Sequence, residues 1–273
     1  MTTARQEGIQ KLYHYQDGRL DYLKDTLANS RVHFSNPRNF NDPWDCRPCF
    51  DSDSLTDPLC RRKWGTFFEP NVALLNPESQ AVLRALGANW FDNQVVLRRV
   101  LDGMTSGIEQ RITELWRIYC LTAHADSLLM WSHYGNKHRG ICLEFDAGRE
   151  FGGAFRVVYR DELQIIGPDI LAADKVLADT ILLSKSSEWS REDEYRILAR
   201  DAAGDPTFTW RTDGDYLALP AGALKAIVMG CNADVDAIRN VVKECAPGVP
   251  LKHAVRKPHR YHLDIVDDTA RPV

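Results

Sequence analysis

The sequence predicts an α+β protein in which a split, mixed or antiparallel sheet is interrupted by a helical insertion. Strand-like segments lie near both ends of the chain, whereas the apolar residues of 51–115 follow the helix period. Strands and helices do not alternate regularly, as they do in βαβ proteins. The 273 residues can form a substantial core. We therefore expect a single domain over residues 1–273, with residues 11–50 and 116–266 as the sheet core and 51–115 as the insertion.

Each element has a local signal. Short segments rich in β-branched, aromatic and apolar residues predict strands at Lys11–Gln16, Arg31–Ser35, Trp116–Thr122, Gly140–Asp146, Phe155–Arg160, Glu194–Ala199, Leu224–Gly230, Pro250–Arg256 and Arg260–Val266. Helical spacing of apolar residues predicts helices at Arg19–Asn29, Ala81–Leu86, Phe91–Arg117 and Asp169–Lys185, and a last helix from a cap at Asn232 or Asp234 to Cys245.

Composition excludes several protein classes. The 34 basic and 38 acidic side chains give a formal charge of −4, which does not favour an obligate nucleic-acid binder. No apolar run approaches the roughly 18 residues that cross a bilayer, and the polar segment Met1–Lys11 is unlike a secretory signal. Seven cysteines, an odd number, do not suggest a disulfide framework. We expect a cytoplasmic protein with no membrane contact. We expect no metal site at Cys46 and Cys49 either, because a second cysteine pair is missing.

Two candidate clusters lie in the first 50 residues. In Tyr13-His14-Tyr15, strand alternation sends His14 to one face and both tyrosines to the other. His14 can donate a hydrogen bond to a ligand hydroxyl, although a satisfied strand histidine is the more common case. Asn41 and Asp42 precede a proline, which favours a stiff turn held by side-chain hydrogen bonds, but Asp42 can also face a cleft.

Two further clusters lie later in the chain. Behind a cap at Asp126 or Ser127, helical spacing places Trp131, Tyr134 and His138 on one face, as core residues or as a stacking platform for a flat heterocycle. Glu192, Glu194 and Arg196 alternate onto one face of a strand, where Arg196 can pair with Glu194. A fixed carboxylate there can stabilise an oxocarbenium-like centre; the alternative is a solvated run of charges.

In this order, the motifs resemble a bacterial and phage-associated family called domain of unknown function 2971, over residues 11 to 265. The matching segments are Leu12–Tyr15, Phe34–Pro37, Phe40–Pro43, Leu129–Tyr134, Gly140–Phe145 and Trp189–Arg196. The Asn-Asp-Pro and Met-Trp-Ser-His-Tyr blocks are the most specific parts, and the family name carries no activity.

The layout also resembles that of ADP-ribosyltransferases of the His-Tyr-Glu type. The resemblance implies that His14 binds a ribose hydroxyl of NAD, that Tyr134 (or Trp131) stacks on nicotinamide, and that Glu194 is catalytic. It implies that Glu192 is the acidic residue on the acceptor side. The other residues expected to contact NAD are Tyr15, Ser35, Asn41, Asp42, His133 and Arg196.

Three function classes follow. The first is an NAD-dependent ADP-ribosyltransferase, which cleaves the nicotinamide–ribose bond and transfers ADP-ribose to a macromolecular acceptor, protein or nucleic acid. Such an enzyme would act as a toxin or anti-phage defence effector, with an antitoxin or immunity partner. The second is a metal-dependent nucleotide hydrolase or nuclease that uses Glu192, Glu194 and Asp42. The third is a non-catalytic nucleotide-binding module.

Overall fold

The computed structural model describes residues 1–50, 52–75, 77–87, 90–171, 180–201 and 210–268. The fold is mixed α/β and contains a mixed sheet. The chain divides into two compact units, which we call the sheet unit (Met1–Asn36, Arg117–Val157 and Glu188–Val273) and the helical unit (Pro37–Trp116 and Val158–Ser187). Residues 37–50 and 158–187, which the sequence analysis assigned to the sheet core, thus group with the helices.

Most strands lie close to their predicted positions. The strands are β1 Lys11–Gln16, β2 Arg31–His33, β3 Cys49–Phe50, β4 Trp116–Thr122, β5 Ile141–Asp146, β6 Phe155–Arg156, β7 Val158–Arg160, β8 Ile165–Ile166, β9 Ser184–Ser186, β10 Glu194–Asp201, β11 Arg211–Thr212, β12 Tyr216–Ala218, β13 Leu224–Met229, β14 Leu251–Arg256 and β15 Leu263–Asp267. The helices are α1 Leu20–Ala28, α2 Pro58–Asn71, α3 Pro77–Leu86, α4 Gln94–Leu115, α5 Leu128–His133, α6 Pro168–Leu171 and α7 Val235–Cys245.

The sheet unit contains a nine-stranded sheet in the order β11-β10-β4-β1-β5-β13-β14-β15, with β6 also paired to β10. Strand β1 is antiparallel to both β4 and β5, whereas β13 is antiparallel to β5 and parallel to β14. Gly140, just before β5, has no room for a side chain, because a Cβ there would lie 2.1 Å from the carbonyl oxygen of Gln16. The close approach positions β5 at the end of β1.

The two faces of this sheet differ in what covers them. On one, which we call the core face, apolar side chains of β1, β4, β5 and β10 pack with α1 and α7: Leu12, Tyr119, Leu121, Leu143, Tyr195, Ile197, Leu23, Leu27, Ile238 and Val242. On the other, the motif face, a smaller cluster joins Tyr15, Cys142 and Val228 to Trp131 of α5. Because successive side chains of a strand point to opposite faces, each strand residue can be assigned to one of the two.

The helical unit confirms the helical character predicted for residues 51–115. Its core is built from Trp64, Phe68, Trp90, Leu97 and Leu101, and the described residues of 52–115 contain no strand. Helix α2 begins behind Asp57, whose side chain accepts a hydrogen bond from the Leu59 amide, with proline at its first position. No helix of the described ranges is long and apolar enough to cross a membrane.

Among the predicted elements whose bounds differ from the observed ones, two also differ in their kind or their pairing. The strand predicted at Phe155–Arg160 is two strands, of which β6 pairs with β10 and β7 pairs with β9. The helix predicted at Asp169–Lys185 does not reach Lys185, because Ser184–Ser186 form β9. Its early part is α6, and residues 172–179 lie outside the described residues. In both cases a pairing partner distant in sequence overrides the local pattern.

Candidate functional site

Helix α5 begins as predicted but positions Trp131 as a core residue. The Ser127 side chain caps the helix by accepting a hydrogen bond from the Met130 amide at 3.3 Å. The Trp131 indole donates to the Ala125 carbonyl at 2.8 Å, and its ring contacts Tyr15 edge-on with 4.9 Å between centroids. Since Trp131 has no exposed surface, it offers no face to a ligand in this structure. Its predicted role as an alternative stacking platform is not supported.

Tyr134 leaves the helix and reaches the glutamate motif. Helix α5 ends at His133, and Asn136, Lys137 and His138 then adopt left-handed backbone conformations with φ of 47°, 54° and 66°. The helical stripe predicted to continue through His138 is therefore wrong. The half-buried Tyr134 donates its hydroxyl to Glu192 Oε1 at 2.7 Å. Two motifs that lie 58 residues apart in sequence are thus in direct contact.

Glu194 and Arg196 form the predicted ion pair at the start of β10. Arg196 donates from Nε to Glu194 Oε1 at 2.7 Å and from its terminal nitrogen to Oε2 at 3.0 Å. Both side chains are buried, Arg196 completely. The i, i+2 spacing places them on one face of the strand, and the two-pronged geometry is the strongest form of carboxylate–guanidinium pairing. The alternative of a solvated charge run is wrong for these two residues. The prediction that Glu192 alternates onto the same strand face is also wrong, because Glu192 ends the 3-10 helix Ser187–Glu192 and Asp193 has a left-handed backbone.

His14 occupies an aromatic, enclosed position on β1. Its ring stacks on Tyr119 with 4.1 Å between centroids, and Nδ1 donates to the Cys120 carbonyl at 2.7 Å. Burial lowers the pKa of His14 to about 4, an effect that the hydrogen bond to the Cys120 carbonyl opposes but does not cancel. His14 is therefore a neutral, backbone-bonded histidine near neutral pH.

Strand alternation places His14 and Glu194 on opposite faces of the sheet. The His14 ring stacks on Tyr119, a member of the core-face cluster that also contains Tyr195 and Ile197. Glu194 and Arg196 alternate with Tyr195 and Ile197, so they belong to the motif face. The predicted site joined His14, Tyr134 and Glu194 in one cleft. The structure instead separates His14 from it by the thickness of the sheet.

The tyrosines of β1, unlike His14, lie on the motif face. Tyr13 packs there against the apolar cluster that contains Tyr15 and Trp131, and Tyr134 packs against the same cluster. Tyr13 lies directly opposite Glu144 of β5, and its pKa is raised by burial and by the Glu144 carboxylate. Strand alternation predicted correctly that Tyr13 and His14 point to opposite faces. Which of these faces Glu194 shares depends on the pairing of β10 with β4, which no local pattern reveals.

Glu144 is a buried charged residue of the motif face that the sequence analysis missed. Its carboxylate pairs with Lys11 at 2.9 Å and also with Lys252. Burial alone would raise the pKa of Glu144, but the hydrogen bonds from Lys252 and Lys11 outweigh it, so the pKa is lowered. The available signal was an acid in the middle of the apolar segment 141–145, since a buried charge needs partners.

The remaining predicted ligand contacts have structural roles, are exposed, or belong to the helical unit. The Tyr15 hydroxyl donates to the His124 carbonyl at 2.8 Å, and the Ser35 backbone pairs with that of Ile118. His133 is exposed, with its ring 6.2 Å from that of Trp189. Asn41 and Asp42 belong to the helical unit. There, Asp42 Oδ1 accepts from the Trp44 amide at 2.9 Å, as the turn interpretation predicted.

Comparison with known proteins finds no matching family model, no similar curated protein and no similar solved structure. Both resemblances therefore stay predictions. Across the described ranges, no group of three or more His, Cys, Asp or Glu side chains is placed to hold a metal ion. What the geometry offers is a motif-face cluster in which Tyr134 contacts Glu192 and Arg196 binds Glu194.

Proposed function

We propose that the sheet unit binds NAD at the motif-face cluster, cleaves the nicotinamide–ribose bond and transfers ADP-ribose to a macromolecular acceptor. The contact between the Tyr134 hydroxyl and Glu192 carries the proposal. It joins the aromatic motif to the glutamate motif, as the ADP-ribosyltransferase resemblance requires. Action as a toxin or anti-phage effector, with an antitoxin or immunity partner, is part of the same proposal.

In this reaction the bond between ribose C1′ and the nicotinamide nitrogen breaks, and its electron pair leaves with nicotinamide. Positive charge develops at C1′ until the acceptor nucleophile bonds there and loses its proton. A fixed carboxylate beside C1′ lowers the barrier by stabilising that charge. Glu192 is the glutamate that contacts Tyr134 directly. We therefore assign the stabilising role to Glu192, and we assign the positioning of β10 to the Glu194–Arg196 pair at the start of that strand.

The other contacts follow from burial and from the two faces. Tyr134 is half-buried and Trp131 is completely buried, so we assign the stacking on nicotinamide to Tyr134. With His14 on the core face, we assign the contact with a ribose hydroxyl to Tyr13, which lies on the motif face of β1. This assignment changes the residues of the predicted site but keeps its chemistry.

The second candidate is a non-catalytic nucleotide-binding module. It is favoured by the same ion pair, since a buried glutamate bound by arginine is typical of a structural role. The metal-dependent hydrolase has less support, because the described residues do not supply a clustered set of ligands. Nucleotide binding without nicotinamide release distinguishes the module from the transferase.

The test is nicotinamide release from NAD by the purified full chain, with and without cell lysate as a source of acceptor. Glu192→Gln keeps the shape of the side chain but removes its charge, and should lower turnover by about a hundred- to a thousandfold. Glu150→Gln, at an exposed carboxylate of the same unit, is the matched control and should leave turnover unchanged. Binding of NAD without release, or equal turnover in both variants, would reject the transferase.

A further inference from the structure

The helical unit contains a cavity whose lining residues all belong to that unit. It encloses about 230 Å³ and is lined by charged, polar and apolar residues: Asp42, Trp44, Arg47, Arg160, Asp161, Glu162, Leu163, Gln164, Ile166, Thr180, Ile181, Ser184, Lys185 and Ser186. This volume is below the range of roughly 300 Å³ and more that is typical of sites for drug-sized ligands. It suits a small metabolite.

One wall of the cavity carries an unsatisfied acceptor. Asp42 is 4% exposed, and its Oδ1 accepts from the Trp44 amide. Its Oδ2 is buried and has no hydrogen-bond partner among the described residues. Leaving a buried polar atom unpaired costs about 1–3 kcal/mol, so a ligand that donates to Oδ2 would recover that cost. An ammonium group is the strongest such donor.

The cavity also carries a cation for which the described part of the chain supplies no ion-pair partner. Arg160 is exposed and makes no ion pair with any described residue, whereas Arg47 pairs with Glu109 at 3.3 Å and Lys185 with Asp45 at 3.7 Å. Three basic and three acidic side chains line the cavity, so a purely anionic ligand would meet repulsion from the acids. A ligand with both charges fits the Asp42 and Arg160 groups together.

Apolar surface lies between the charged groups. The Trp44 ring lines the cavity although it is 61% exposed, and Leu163 and Ile181 contribute aliphatic surface. The exposed tryptophan therefore offers an apolar face on which a ligand side chain can pack.

From these three features we infer that the helical unit binds a free α-amino acid with an apolar side chain. Its ammonium donates to Asp42 Oδ2, its carboxylate binds Arg160, and its side chain packs on Trp44. This site is independent of the proposed NAD chemistry.

Titration calorimetry on the full chain tests the inference, with L-phenylalanine and L-leucine as probes and no NAD present. We expect binding tighter than about 1 mM. Phenethylamine, which lacks the carboxylate, and 3-phenylpropanoate, which lacks the ammonium, should each bind at least about tenfold more weakly than L-phenylalanine, because each leaves one charged group unpaired.

Variants supply the second arm. Asp42→Asn should weaken L-phenylalanine about thirtyfold or more, and exposed Arg160→Gln about three- to tenfold. Arg62→Gln, an exposed arginine outside the cavity, should change nothing. If Asp42→Asn does not fold, Arg160→Gln and the two analogues of L-phenylalanine still test the inference. Absence of binding by both amino acids, equal binding of phenethylamine, or tighter binding of adenosine monophosphate would overturn the inference.

Discussion

The two faces of the sheet treat polar side chains in opposite ways. On the core face, His14 is neutral, stacked on Tyr119 and bonded to a backbone carbonyl. On the motif face, ionised side chains are kept in pairs, with Arg196 bound to Glu194 and Glu144 bound to two lysines. A buried charge persists only when it is paired, whereas a buried histidine can lose its proton.

This difference separates a structural histidine from a candidate site. His14 and Glu194 are equally prominent in the sequence, but only Glu194 shares a face with Tyr134 and Glu192. Membership of the same sheet is therefore insufficient to place two residues in one site, because successive side chains of each strand point to opposite faces. If this assignment is right, substitutions on the two faces should have different effects on stability.

The motif-face ion pair should dominate stability. Arg196→Met removes the guanidinium and takes two hydrogen bonds from the buried Glu194 carboxylate, which should lower the free energy of unfolding by about 3–5 kcal/mol. Urea unfolding measures the loss. Adding Glu194→Gln to the same chain removes the buried carboxylate charge and should restore at least half of the lost free energy. A loss below about 1 kcal/mol would mean that the pair is solvated.

The core face should give a pH-dependent effect. The pKa of His14 is lowered to about 4 by burial, against an ordinary value of 6.5. Above pH 6.5 it is neutral in both states. As the pH falls, the unfolded chain takes up the proton first, so stability is lost between pH 6.5 and pH 4. At pH 5 the loss is about 2 kcal/mol.

His14→Gln removes that titration. Between pH 7 and pH 5 the wild type should lose about 2 kcal/mol more of its unfolding free energy than His14→Gln does, measured by urea unfolding at both values. Comparing the two proteins cancels the other titrating groups. Parallel pH profiles would show that His14 is solvated, contrary to its position on the core face.

The smallest effect concerns the Tyr134 hydroxyl. Tyr134→Phe keeps the ring but removes the donor to Glu192, and should lower the unfolding free energy by about 1 kcal/mol. Tyr22→Phe, at an exposed tyrosine of α1, is the control and should be neutral. Equal effects would place the Tyr134 hydroxyl in solvent.

Local signals were sufficient for much of the fold. Strands β1 and β4 have the predicted bounds, Ser127 and Asp234 cap their helices, and the Glu194–Arg196 pair follows from strand spacing alone. Each of these depends on residues within a few positions of one another. Periodicity and capping report such relations directly.

The rest depended on contacts between distant segments. Strand β3 pairs with β8 and β7 with β9, and these parallel pairings draw residues 37–50 and 158–187 into the helical unit. The position of β10 beside β4 decided which face Glu194 shares. Register between separate segments is set by the whole core rather than by either sequence, so the error at His14 could not be corrected locally.

The most direct test of the central claim compares His14→Gln with Glu192→Gln in the same nicotinamide-release assay at pH 7.5. If the site lies on the motif face, His14→Gln should retain wild-type turnover within about threefold, and Glu192→Gln should lose about a hundred- to a thousandfold. Both variants should have the same far-ultraviolet circular dichroism spectrum as the wild type. Loss of turnover in His14→Gln with little change in Glu192→Gln would contradict the account.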